Sequence, residues 1–90
     1  MTPLETQADE ILRRLDEMET ALLDEPARDQ ATRQMVREGT LTGALHEVAG
    51  IRNPTKLRSI VAAFTPPVPI KTASARRERM IASLWAAQRN

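Results

Sequence analysis

Ninety residues with no cysteine and only two rings larger than imidazole, Phe64 and Trp85, describe a small domain that uses neither disulfides nor thiolate-bound metal. Thirteen basic and twelve acidic side chains leave a formal net charge of +1, and no apolar run nears the roughly 20 residues that cross a bilayer, which excludes a membrane-spanning chain. The near-neutral total hides a division. Residues 1–38 hold ten acids and five arginines, net −5, whereas residues 39–90 hold eight bases and two acids, net +6. A chain divided in this way either folds its halves against each other or shows a partner faces of opposite sign. The acidic N-terminus lacks the basic and apolar stretches of a signal peptide, so the expectation is a soluble, cytoplasmic protein.

The first segment opens as a helix should. Thr2 is placed to cap it, Pro3 takes the first helical position, and Glu5 stands three residues after Thr2 as the far side of a capping box. Leu4, Ala8, Ile11, Leu15, Met18 and Leu22 then alternate at spacings of four and three, an apolar seam widened by Leu12 and Leu23. Asp24-Glu25-Pro26 ends this acidic, heptad-like helix, which covers residues 1–25. Residues 26–64 read as helical hairpins. A second helix runs from Pro26 to Glu38 with Ala27, Ala31 and Met35 on one face and Gly39 as its stop; a third spans Leu41 to Ala49, entered from Thr40 or Thr42 and ended by Gly50.

Asn53 and Pro54 form the cap and first turn of a fourth helix, whose apolar face is Leu57, Ile60, Val61 and Phe64 and which Pro66 and Pro67 forbid from continuing. Residues 65–73 form an extended, proline-rich link of polyproline II type, with Val68 and Ile70 turned inward. A basic C-terminal helix over residues 74–90, capped by Ser74, carries Met80, Ile81, Leu84 and Trp85 on its apolar face. Nothing alternates as a strand would. The predicted fold is a single all-α domain, a bundle of about five helices.

Two sets of residues are candidates for binding. The seam residues Leu4, Ile11, Leu15, Met18 and Leu22 would form a protein interface, either with a partner helix or with a second copy as a homodimer. In a parallel coiled coil Arg14 and Glu19 would pair between chains. The second set rests on the helix–turn–helix order of residues 41–64. Gly50 lies in the turn and the helix that follows begins Asn53-Pro54-Thr55-Lys56-Leu57-Arg58, which loosely resembles helix-turn-helix DNA-binding regulators. His46 stands where those regulators carry a small residue, and the buried position after the turn falls on Lys56, one residue before Leu57. Arg52 likewise stands where a helix-hairpin-helix would carry its second glycine.

The resemblance implies Arg52, Asn53, Lys56 and Arg58 at the groove, with Arg76, Arg77 and Arg79 on phosphates. Those three arginines open a helix whose macrodipole they oppose, so something must offset them: a phosphate, an acidic partner, or the acidic first helix.

Catalysis is not expected. His46 is the sole histidine, there is no tyrosine or glycine-rich phosphate loop, and adjacent acids such as Asp9/Glu10 diverge by about 100° on a helix. No metal, cofactor or small-molecule substrate is implied. The expected function is that of a small regulator or adaptor, an inhibitor among the options, acting on a protein partner, with a DNA-binding regulator as the alternative.

Overall fold

In a computed structural model that describes residues 3–25, 29–65 and 72–89, the described residues form four helices and no strand: α1 (Leu4–Leu23), α2 (Gln30–Ala49), α3 (Pro54–Phe64) and α4 (Ala73–Gln88). The all-α class is as expected. The number of helices is not, because the second and third expected helices are one. α2 passes through Gly39, Thr40, Thr42 and Gly43 without interruption. Two helical glycines cost about 1 kcal/mol each. A break there would divide the stripe of Leu41, Ala44, Leu45 and Val48, with Val36 and Arg37 one turn earlier, that α2 lays against the core. Burial of that stripe outweighs the glycine signal.

The apolar face expected for the second helix is not the one that packs: Ala31 is exposed, and Met35 stands 72% exposed. Asp29 caps α2 by accepting from the Thr32 N–H at 2.7 Å. The start expected at Pro26, with Ala27 on that apolar face, lies outside the described residues, as do the Thr2 cap and the extended link with Pro66, Pro67, Val68 and Ile70.

α1 buries its seam as the spacing demands, with Ala8, Ile11, Leu12, Leu15, Met18 and Leu22 inside the core and Leu4 partly covered. Leu23 does not join them and is 77% exposed. α3 begins as predicted, with Asn53 Oδ1 accepting from the N–H groups of Thr55 and Lys56 at 2.9 and 3.2 Å and Pro54 in the first turn. α4 starts one residue before Ser74, and the cap is Thr72, whose hydroxyl accepts from Ala75 N–H at 3.0 Å. Gly50 ends α2 in the left-handed region at φ 69°, donating to the His46 carbonyl, while the next N–H, of Ile51, reaches the Leu45 carbonyl. Ile51 is thereby turned into the core.

α1 is flanked by α2 on one side and α4 on the other, and α3 packs on α2. The most deeply buried side chains, Ile11, Leu41, Leu45, Met80 and Leu84, come from α1, α2 and α4 and meet between them. α4 runs antiparallel to α1: Gln88 Nε2 donates to Gln7 Oε1 at 2.8 Å at one end, and Arg76 reaches Asp16 toward the other.

The two kinds of glycine give opposite expectations. A Cβ at Gly39 or Gly43 meets nothing within 4 Å and both residues are helical, so Gly39→Ala and Gly43→Ala should each raise stability by about 0.5–1 kcal/mol in urea melts. Gly50→Ala should lower it by about 1 kcal/mol, because its φ of 69° strains any L side chain. Leu15→Ala, at the centre of the seam, should cost about 2–5 kcal/mol in the same measurement.

Candidate functional site: charged flanks and the α3–α4 groove

The seam proposed as an interface faces inward in this fold. Ile11, Leu15, Met18 and Leu22 are enclosed by α2 and α4, and Leu4 lies at the partly covered edge. The two flanking residues that would have paired between chains are also engaged within one chain. Arg14 bridges Glu10 at 3.0 Å and Glu47 of α2 at 2.7 Å, and Glu19 holds Arg37 of α2 through two bonds of 2.7 and 3.0 Å. The outer face of α1 carries a shallow depression of about 480 Å³ lined by Asp9, Leu12, Arg13, Asp16, Glu17 and Thr20.

The seven basic-edge residues divide into two groups. Arg77 clasps Asp9 with bonds of 2.7 and 3.2 Å, and Arg76 bonds Asp16 at 2.9 Å. Two of the three arginines near the α4 N-terminus are thus neutralised by the acidic first helix. Asn53 spends its side-chain oxygen on its own helix cap, and Lys56 Nζ donates to the Ala87 carbonyl at the C-terminal end of α4, where the macrodipole favours a cation. Arg52, Arg58 and Arg79 are exposed and form no ion pair among the described residues. The fold brings Lys56 and Arg79 to one place, the groove between α3 and α4, and leaves Arg52 and Arg58 outside it.

That groove holds about 440 Å³ and is walled by short side chains, Ser59 and Ala63 from α3 and Ser83 and Ala86 from α4, with Ile60 also in its lining. No carboxylate lines it. The charge boundary that matters in three dimensions lies at Gly50. Residues 1–49 carry five bases and eleven acids, net −6, and residues 50–90 carry eight bases and one acid, net +7. The α1–α2 hairpin is acidic, the α3–α4 side basic, and the two clasps to α1 cancel only part of the difference.

Trp85 was expected on the apolar face of the last helix and lies instead 53% exposed on the outside of α4, one turn before Arg89, whose guanidinium sits 4.6 Å from its ring centroid. The physical reason is that α4 packs chiefly on α1, so its buried stripe is narrow: Met80 and Leu84 fill it, and the next position round the helix falls outside. Phe64, the other ring, is buried. The clasping carboxylates show the field they sit in. Hydrogen bonds from Arg13 and Arg14 hold Glu10 down at about 2, from an ordinary 4.5, and Arg77 lowers Asp9 in the same way.

Among the described residues no group of three histidine or acidic side chains is placed to hold a metal ion, and no helix is long and apolar enough to cross a membrane. Compared with protein-family models, with curated proteins and with solved structures, the chain matches none.

A carboxylate whose folded pKa lies below its unfolded value stabilises the fold only while ionised. Its contribution is complete above the ordinary value, 4.5 for Glu10, and is lost as the pH falls through about 2. Melting temperature should therefore be flat above about pH 5 and decline between 4.5 and 2. Glu10→Gln, which cannot ionise, should shrink that decline in a pH series of thermal melts.

Proposed function

We propose that this protein is a non-catalytic adaptor or regulator that works by binding another protein, and that its contact surface is the outer face of α4 centred on Trp85. The observation that carries the reading is the display of the sole tryptophan, half exposed and stacked under Arg89, in a chain whose other ring is buried. Tryptophan and arginine are the side chains that most often dominate the energy of protein interfaces. The arrangement spends little to present them, because the cation–π contact already orders both. The residue inventory supports a non-catalytic role: the one histidine, His46, is exposed on the last turn of α2, away from any acidic cluster that could orient it.

Affinity capture from an extract of the cells that make the protein provides the test. Wild type and Arg58→Ala should retain the same partner, and Trp85→Ala should lose it by about tenfold or more, while circular dichroism shows an unchanged fold. Equal retention by Trp85→Ala would remove the outer face of α4 from the reading.

One observation favours the DNA-binding alternative: Arg52, just before α3, and Arg58, within it, are exposed and without an ion-pair partner among the described residues. Against it, Arg76 and Arg77, which would grip phosphates, are held by Asp16 and Asp9. Binding through about six phosphate contacts would fall by orders of magnitude between about 50 and 200 mM salt. A mobility-shift assay on random duplex DNA at about 50 mM salt is expected to show no retardation; retardation that Arg52→Ala and Arg58→Ala abolish would favour the alternative.

A further inference from the structure

We infer that the α3–α4 groove is a docking site for an acidic helical segment of a partner protein, one that carries carboxylates about two turns apart on a face of small side chains. The inference stands on the groove alone and does not depend on the Trp85 face. α3 packs on α2 and α4 on α1, so the helices that wall the groove are held by different neighbours and leave a trough of about 440 Å³ between them. Its lining runs from Thr55 to Ala63 on α3 and from Arg79 to Ala87 on α4, about 12 Å along each helix. The walls are short, with Ser59 and Ala63 on one side and Ser83 and Ala86 on the other, and the buried Ile60 adds apolar surface between them.

Charge selects the occupant. Lys56 and Arg79 line the trough and no carboxylate does. Lys56 Nζ donates to the Ala87 carbonyl at 2.9 Å, which fixes the ammonium at one end without neutralising it: two of its three N–H groups are left for a ligand. Arg79 lies eight residues before Ala87, about 12 Å along α4, and forms no ion pair among the described residues, so a second unspent cation stands at the other end. Carboxylates seven or eight residues apart on one helix face span about 11–12 Å and reach both cations together.

The surroundings have the same sign. Arg58 on α3 and Arg52 just before it are exposed and without an ion pair among the described residues, and Glu78 is the only acid after Gly50. An acidic segment is therefore attracted before it docks. The carboxylates of α1 from a second copy are a poorer complement, because Asp9, Asp16 and Glu17 each already bond an arginine of their own chain. Nucleic acid also fits less well: two cations at the ends of an apolar trough make no row for a phosphate backbone, and no ring lines it to take a base.

The test is a titration of the labelled protein, followed by backbone amide NMR, with a blocked alanine–glutamine peptide of about 20 residues that carries glutamate at every seventh position, up to about 2 mM in about 20 mM salt. Shifts should concentrate on residues 55–63 and 79–87, and affinity should fall about tenfold in about 0.5 M salt. Arg79→Glu should weaken binding about tenfold or more, and Ser83→Leu, which fills the trough without altering its charge, should abolish it. Circular dichroism checks that each variant is folded. Trp85→Ala should bind the peptide as wild type does, so failure of the Trp85 capture experiment and failure of this titration are separate results. Absence of shifts in the groove over the whole titration overturns the proposal. So does equal binding of a peptide with glutamine for every glutamate, equal binding of a peptide broken by a central proline, or full binding by Ser83→Leu. Groove shifts on concentrating the protein alone would overturn it in favour of a second copy, and larger groove shifts with a random duplex oligonucleotide in favour of nucleic acid.

Discussion

The apolar seam of α1 is the constraint on which the rest of the molecule depends. A single helix with buried positions at Ala8, Ile11, Leu15, Met18 and Leu22 is covered on one side by α2 and on another by α4. α4 has no comparable alternative support, since its closest packing is on α1. α3 is one step removed. It packs on α2, and its position follows from the left-handed Gly50 that ends α2 and the Asn53 cap that restarts the chain three residues later. Removing the seam would thus leave a helix pair and a detached arm. This is the expected economy of a small domain, in which one helix must serve two interfaces because there is too little chain to build a second core.

Charge works on this frame as an aligning device. The pairs Asp9–Arg77 and Asp16–Arg76 are exposed, so water and salt screen them and their net stabilisation is small. Their value lies in register. Two arginines near the N-terminus of α4 oppose its macrodipole, and they find carboxylates seven residues apart on α1 only when α4 lies antiparallel at this offset. Along the opposite flank, Arg14–Glu47 and Arg37–Glu19 set α2 against α1 in the same way. Hydrophobic burial determines that the helices pack, and the ion pairs select which of several similar apolar registers is adopted.

The sequence made local features legible and left the relative placement of helices unread. The α1 seam, the Asn53–Pro54 start, the face of Leu57, Ile60, Val61 and Phe64 and the stop at Gly50 are set by residues within one turn of each other, and all appear as the spacing requires. Gly39 misled because a glycine is a local cost, whereas the stripe that carries α2 through it, Leu41, Ala44 and Leu45, is rewarded only by packing against other helices. Ser74 and Thr72 are equivalent hydroxyls two residues apart, and nothing local distinguishes them as caps. Trp85 misled for a tertiary reason as well: an apolar face counted on a helical wheel is as wide as its residues, but its buried part is only as wide as the neighbours that cover it. The α3–α4 groove exists only through the relative placement of two helices that follow different partners, and no spacing pattern within either announces it.

The same geometry explains why the charge division survives folding. α1 meets α4 along one flank, and among the described residues of α3 and α4 only Arg76 and Arg77 bond its carboxylates. Arg52 and Arg58 are on the α3 side, separated from α1 by α2, and Arg79 is turned toward the groove. A fold in which acids and bases alternated along every helix would have neutralised itself locally and lost nothing in the core. Here the acids are gathered before Gly50 and the bases after it, which leaves uncompensated positive charge along α3 and α4 and uncompensated negative charge on the hairpin. Like charges crowded on one side repel, a cost that screening by salt reduces at these exposed positions. The division therefore gives the folded molecule a charge dipole, with the hairpin at one pole and α3 and α4 at the other, that orients any charged surface approaching it.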